Sequence, residues 1–355
     1  MLELTERQKF ILTLVIHEYI RTAAPVGSQV LVARYHLNIS SATVRNEMVA
    51  LTECGLLRQP HTSAGRVPTE EGYRYFVSRL IRATDLPDTT RRTISHQFYQ
   101  MRHDVEQWVR LAASVLAHQS RAASLVTPPH PEKARLKHLE LIATRGRQVL
   151  MVLVMVGGEV RQRIFTLKEP VAQELLSQSA DRLTQQFQGQ DVESIRMRAS
   201  QLSGLDADVV GWVIEDMIEA NSEVAGEVYL DGLTNVLVEP EFTGSEEARR
   251  ALKILEERSL LQDLAARTVM SNSVGGIQVL IGGEGTWDEL RPWSIVLGSY
   301  GAPGLATGTL GVLGPLRMSY GRAISTVRFL SGLLSDLVAE TLLDEPSTYK
   351  GENLS

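Results

Sequence analysis

The chain has a single cysteine among its 355 residues, Cys54. That excludes an internal disulfide and any cysteine-rich metal site. No apolar run approaches the eighteen or so residues that a membrane helix needs, so no membrane span is expected. The longest run, Val149 to Val156, has the length of a buried strand. The opening MLELTERQKF mixes charges of both signs and lacks an apolar core of signal length. A secretory signal is therefore not expected, and the expected location is cytoplasmic. All eight histidines precede Leu139, so the second half lacks the imidazole that a histidine-based triad or zinc site uses. Gly282-Gly283-Glu284-Gly285 has no Lys-Ser/Thr after it and is not a phosphate loop. Gly298-Ser299-Tyr300-Gly301 misses the spacing of a nucleophile elbow. Gly308, Gly311 and Gly314 suit turns between sheet strands as well as the lining of a pocket. Acidic pairs such as Asp288-Glu289 read as surface. No catalytic constellation, cofactor site or metal site emerges, and no enzyme is expected.

Positive charge is also scarce. The net charge is −6, an argument against indiscriminate nucleic-acid binding, which depends on phosphate neutralisation. The distribution is uneven, however. Residues 1–80 hold nine Arg/Lys and seven Asp/Glu, a net of +2, leaving −8 for the remainder. A mildly basic head on an acidic body suits a specific DNA binder better than a non-specific one. A chain of this length is expected to form two or three domains.

The head carries the densest signals. Thr5-Glu6-Arg7-Gln8 is a capping box, and Phe10, Ile11, Leu14, Val15 and Tyr19 follow at helical spacing. Ala24-Pro25-Val26-Gly27 ends that helix, and Ser28 can cap a short second one reaching about Tyr35. Ser40 or Ser41 can cap a third helix, whose buried stripe is Val44, Met48 and Leu51, with Gly55 as a left-handed stop. Leu56 to Gln59 reads as a strand, Thr62-Ser63-Ala64-Gly65 as a turn, and Arg66-Val67 as the return. Three helices and a hairpin make a winged helix, closed by a helix that Thr69 caps. A hinge with Pro87 is expected over 85–92, then a helix over 98–116. Beyond Leu139 the texture is mixed α/β. Strands are expected at 139–144, 149–156, 161–165, 277–281, 294–300 and 307–313. Helices are expected at 171–187, 207–220, 246–268 and 320–343.

On the third helix Ser41, Ala42, Thr43, Arg45, Asn46 and Val49 fall away from the buried stripe. Arg45 can fork onto guanine O6 and N7, and Asn46 can pair with adenine N6 and N7; either can instead touch phosphate. The hairpin offers Arg58, His61, Thr62, Ser63 and Arg66 to phosphate or to a minor groove. A solvated helix face and a polar surface hairpin are the bland alternatives. A helix-turn-helix before and a basic wing after place DNA contact ahead of them. Cys54, near Leu51 and Leu56, is expected to be buried rather than redox-active.

Several strings resemble one family. They are Pro25-Val26-Gly27-Ser28, Ser40-Ser41-Ala42-Thr43-Val44-Arg45-Asn46-Glu47-Met48, Pro60 to Thr69 (PHTSAGRVPT) and Gly72-Tyr73-Arg74. In the body they are Leu233-Thr234-Asn235, Pro240-Glu241-Phe242, Ile281-Gly282-Gly283-Glu284 and Gly311 to Tyr320 (GVLGPLRMSY). Together they resemble the HrcA heat-inducible transcription repressors. The resemblance implies an α+β multidomain chain: an N-terminal winged helix, a GAF-like α/β domain and an inserted α/β dimerisation domain. On that pattern 1–80 is the head, 81–104 a linker, 105–165 with 262–343 the GAF-like domain, 170–260 the insert and 344–355 a loose tail. It implies a repressor of chaperone operons that binds an inverted-repeat, CIRCE-type operator as a homodimer, with activity dependent on a GroEL-type chaperonin. Ser40, Ser41, Thr43, Arg45 and Asn46, with Arg58, His61, Thr62, Ser63 and Arg66, are then the expected DNA contacts. The competing expectation is a regulator that senses a metabolite in the GAF-like domain, near Gly275–Gly285 and Gly301–Gly314.

Overall fold

The computed structural model describes residues 3–62, 64–81, 85–101, 104–130, 133–156, 158–222, 228–244, 246, 250, 253, 274–282, 290–303 and 306–343. Most of the helix expected over 246–268, Gly283 to Glu289 and the tail from 344 lie outside these residues. Helix and sheet are both present, and the chain divides into two units. The first comprises Met1–Thr127, Val228–Tyr300 and Thr309–Leu334. The second comprises Pro128–Glu227, Gly301–Gly308 and Ser335–Ser355.

In the first unit, helix α1 runs Glu6–Thr22. Its capping box forms in full: Gln8 N donates to Thr5 Oγ1 at 3.2 Å, and Thr5 N to Gln8 Oε1 at 3.0 Å. Helix α2 (Ser28–Tyr35) and helix α3 (Ser41–Glu53) follow. Ser40, not Ser41, is the cap of α3, accepting from Thr43 N at 3.0 Å. Val44, Met48 and Leu51 are buried, and they share the core with Ile11, Leu12, Val15 and Leu31. Gly55 takes φ 75°, the left-handed stop. Strands β1 (Leu57–Arg58) and β2 (Val67–Pro68) pair antiparallel. Helix α4 (Glu70–Tyr75), capped by Thr69, continues into a π turn over Phe76–Leu80.

Asp88 to Met101, within the stretch expected to be hinge and linker, form helix α5, which buries Ile94 and Phe98. Helix α6 (Val105–Ser120) starts anew on the Asp104 cap, so the single helix expected over 98–116 is two. The sheet of this unit has the order β7-β3-β10-β9-β8. Its strands are β3 (Ala123–Val126), β7 (Tyr229–Asp231), β8 (Ile277–Ile281), β9 (Trp293–Ala302) and β10 (Ala306–Pro315). Strand β3 pairs antiparallel with both β10 and β7. The long β9 and β10 are buried almost throughout, which is why they read as near-continuous apolar and glycine runs rather than alternating ones. Helix α10 (Leu233–Leu237) adds Val236 to a core with Leu125, Trp293, Leu297 and Leu313. A closing helix, α11, spans Tyr320–Leu343.

The second unit is built on an antiparallel sheet, β4 (Leu136–Ala143), β5 (Gln148–Met155) and β6 (Val160–Thr166), in that order. Its inner face carries Leu139, Leu141, Val149, Met151, Leu153 and Met155. Helices α7 (Gln173–Phe187), α8 (Val192–Ala199) and α9 (Leu205–Ser222) complete the unit. Leu176, Leu183, Phe187, Ile195, Val213 and Met217 from these helices enter the same core. At β6, Phe165 stacks on Trp212 with ring centroids 3.8 Å apart. Beside it Arg163 Nη1 donates to the buried Asp216 at 2.7 Å.

Candidate nucleic-acid interface

The period of α3 sorts its side chains onto two faces. Positions 44, 48 and 51 go inward, and Ala42, Arg45, Asn46, Val49 and Glu53 are exposed. The side chains of Arg45 and Asn46 take no partner among the described residues and share one face. At the start of the helix Ser40 Oγ lies 2.9 Å from Thr43 Oγ1. These two hydroxyls are therefore part of the cap as well as candidate contacts. Ser41 and Thr43 are half-buried. Glu47 is turned away from this face toward Arg7 on α1, at 3.6 Å.

The hairpin is fixed to α3 and to the turn before α2. Arg66 donates its backbone N–H to Val26 O at 2.8 Å and accepts from Val26 N at 2.8 Å. Its Nε donates to Thr52 Oγ1 on α3 at 3.0 Å. The approach of the two backbones is so close that a Cβ on Gly65 would lie 2.3 Å from Val26 O. Only glycine fits there, which explains the glycine of the TSAGR string. Gln59 closes the hairpin tip, its Nε2 donating to Thr62 O at 2.9 Å and Ala64 O at 3.1 Å. The sequence reading missed this residue, although a glutamine three positions before the turn is the available signal. Arg58, His61 and Thr62 are exposed at the tip and along β1, while Arg66 is half-buried. Ser63 lies outside the described residues. Cys54, expected to be buried, is only half-buried.

Charge on the head is arranged around one buried carboxylate. Glu18 is 2% exposed. It accepts from Arg21 Nη2 at 2.6 Å and faces Arg34 Nε at 3.2 Å. The Arg21 hydrogen bond holds its carboxyl below the ordinary carboxylate range. Glu18 thus joins α1 to α2 and orients two guanidinium groups at the surface.

A second ionic cluster ties the head to the sheet of its own unit. Arg317, in the turn after β10, donates through Nε to Glu241 Oε1 at 2.7 Å. Its Nη2 meets Glu239 and, at 3.1 Å, Glu241 Oε2. Its Nη1 donates to Ile20 O, in the last turn of α1, at 3.2 Å. Nearby, Arg74 Nη2 donates to Ile281 O at 2.9 Å, and the rings of Tyr73 and Tyr320 sit 5.8 Å apart. Burial pushes the Tyr73 hydroxyl well above its usual range. Among the described residues no group of His, Cys, Asp and Glu is placed to hold a metal ion. No described helix is long and apolar enough to cross a membrane.

Residues 106–324 match the family model described as HrcA protein C terminal domain. The chain is 45% identical over 355 residues to the heat-inducible transcription repressor HrcA of Roseiflexus castenholzii, covering 98% of each. It is 42% identical over 346 residues to the protein of the same name from Herpetosiphon aurantiacus, covering 96% of each. Among solved structures it is similar to a crystal structure of a hypothetical protein, with a TM-score of 0.60 at 23% identity. That likeness covers 96% of this chain and 100% of the other.

Proposed function

This chain belongs to the HrcA family of heat-inducible transcription repressors, and from that premise we propose that it represses chaperone operons by binding an inverted-repeat, CIRCE-type operator as a homodimer in the cytoplasm. The observation that carries this reading is the exposed stripe of α3. It offers a bidentate guanidinium and a bidentate amide side by side, next to a hairpin locked in place by Arg66 and Gly65. On this reading residues 1–80 are a winged helix whose α3 enters the major groove. Arg45 and Asn46 touch base edges there, and Ser40, Ser41 and Thr43 lie at the helix start near phosphate. Arg58, His61, Thr62, Ser63 and Arg66 form the wing contacts. The sheet β7-β3-β10-β9-β8 with its helices is the GAF-like part; the inserted dimerising part, expected over 170–260 with 105–165 in the GAF-like domain, is on this reading moved to 128–227, the stretch that clusters as the core of the second unit.

The second unit supports the dimer. The outer face of its sheet aligns Ile142, Leu150 and Ile164 in one cross-strand row and Val154 with Val160 in another. Ile164 is 62% and Val160 52% exposed. Such a face is expected to be covered by a second copy, and two heads at a fixed spacing are what an inverted repeat requires. A bare apolar face is also what a chaperonin captures. This is consistent with a GroEL-type partner that returns the chain to its folded dimer, and that heat diverts to other clients.

Titration of the full chain against an inverted-repeat operator and a scrambled duplex tests the reading. Operator preference is expected, and Arg45→Ala is expected to lose about 1–3 kcal/mol on operator while scrambled binding changes little. Equal affinity for both duplexes, or operator affinity that a small metabolite sets and chaperonin does not, would overturn it.

A further inference from the structure

Hydrogen-bond chemistry does not account for every exposed side chain of α3. Val49 is 37% exposed, on the same face as Arg45 and Asn46 four and three residues before it, and Ala42 seven before it. The core positions of the helix are 44, 48 and 51, and a β-branched residue on an exposed helix position is a poorer helix former than the alanine next to it. An apolar side chain left partly in water on the stripe that carries Arg45 and Asn46 is accounted for by an apolar feature in the groove. In duplex DNA the major-groove edge offers one such feature, the C5 methyl of thymine.

We propose that Val49 is a specificity-determining residue that packs against a thymine methyl in each half-site. The proposal rests on the DNA-binding reading above. Seven residues of helix between Ala42 and Val49 rise about 10 Å, the height of roughly three base steps. Arg45 and Asn46 lie within that interval, so the thymine read by Val49 sits within about three base pairs of the bases they read. Arg45 and Asn46 would then fix purines by their hydrogen-bonding edges, and Val49 would reject cytosine at a neighbouring pair by contact alone.

The test uses the full chain and a duplex that the chain itself selects from a random-sequence pool. In the selected inverted repeat each thymine is replaced in turn by deoxyuridine, symmetrically in both half-sites. The exchange removes only the methyl. One position is expected to weaken wild-type binding about four- to fifteenfold, the range between losing one fully buried methyl and losing one in each half-site. Val49→Ala is expected to bind the thymine duplex correspondingly weakly and to be indifferent to the same replacement. Val49 is exposed, so matched melting curves for the two proteins are expected. Indifference of the wild type to every replacement, or undiminished sensitivity in Val49→Ala, would overturn the assignment while leaving operator binding intact. Failure of the pool to yield any repeat would instead sink the DNA-binding reading and this inference with it.

Discussion

A methyl group on residue 65 would meet the Val26 carbonyl 2.3 Å away, and the atom it meets is backbone, in a residue that two hydrogen bonds tie to Arg66. Neither side can give without breaking the bridge that fastens the hairpin. Gly65→Ala is therefore expected to cost about 1–3 kcal/mol of stability. It should also loosen the hairpin, so operator affinity falls more than the melting shift alone accounts for. Thermal melting beside operator titration checks this, and an unchanged melting temperature would rule it out. Arg66 has a different task from the one its charge suggests. Its Nε is committed to Thr52, so part of its value is to carry the hairpin on α3. At this scale the sequence was legible where one residue has one physical demand. Gly55 stops, Val44, Met48 and Leu51 go inward, and the cap of α3 was narrowed to Ser40 or Ser41. It was less legible where a side chain serves a distant neighbour, as Arg66, Gln59 and Glu18 do.

Among elements, the joint between head and sheet turns on one guanidinium facing two carboxylates. The Arg317 side chain is 9% exposed, and those of Glu239 and Glu241 are 26% and 32%. Such clusters contribute little net stability as a whole, because desolvation offsets attraction, but removing one partner leaves the others uncompensated. Arg317→Met is expected to destabilise by about 2–3 kcal/mol, below the fully buried case because the carboxylates keep some water. Adding Glu239→Gln and Glu241→Gln to it should recover a large share of that loss. Denaturant midpoints of the single and triple variants decide the matter, and a triple variant weaker than the single one would contradict the charge argument. None of this joint is visible from local patterning. Arg317 and Ile20 are 297 positions apart, and no periodicity links them. Helix α5 was hidden for another reason. Pro87 and its acidic neighbours have hinge chemistry, yet Pro87 stands immediately before the first turn, where a missing N–H costs nothing. Strand β5 was legible because it is the longest apolar run of the chain, whereas β4 was placed three residues late because a bulge between Leu136 and His138 interrupts its alternation. Helix α8 was not legible, since eight residues with Val192 and Ile195 inside give little signal.

At the scale of the whole molecule, assembly is the property most open to test. Ile164 stands on the edge strand β6, at the end of the outer row that it forms with Leu150 and Ile142, and its exposure means that a charge there meets water in the isolated chain. Ile164→Lys is expected to leave helix content and melting of the monomer unchanged. It should shift the protein from dimer to monomer and weaken operator binding by tenfold or more, since one head then binds alone. Sedimentation and operator titration read both effects. A variant that stayed dimeric at micromolar concentration would move the dimer contact elsewhere.

The contact between Ile20 and Arg317 also sets a schedule. At about 5–20 residues per second, Arg317 leaves the ribosome roughly 15–60 s after Ile20. For that time the finished helices of the head have no Arg317 to receive the Ile20 carbonyl. The joint between head and sheet can thus close only late, although the head's own core is complete in sequence long before it.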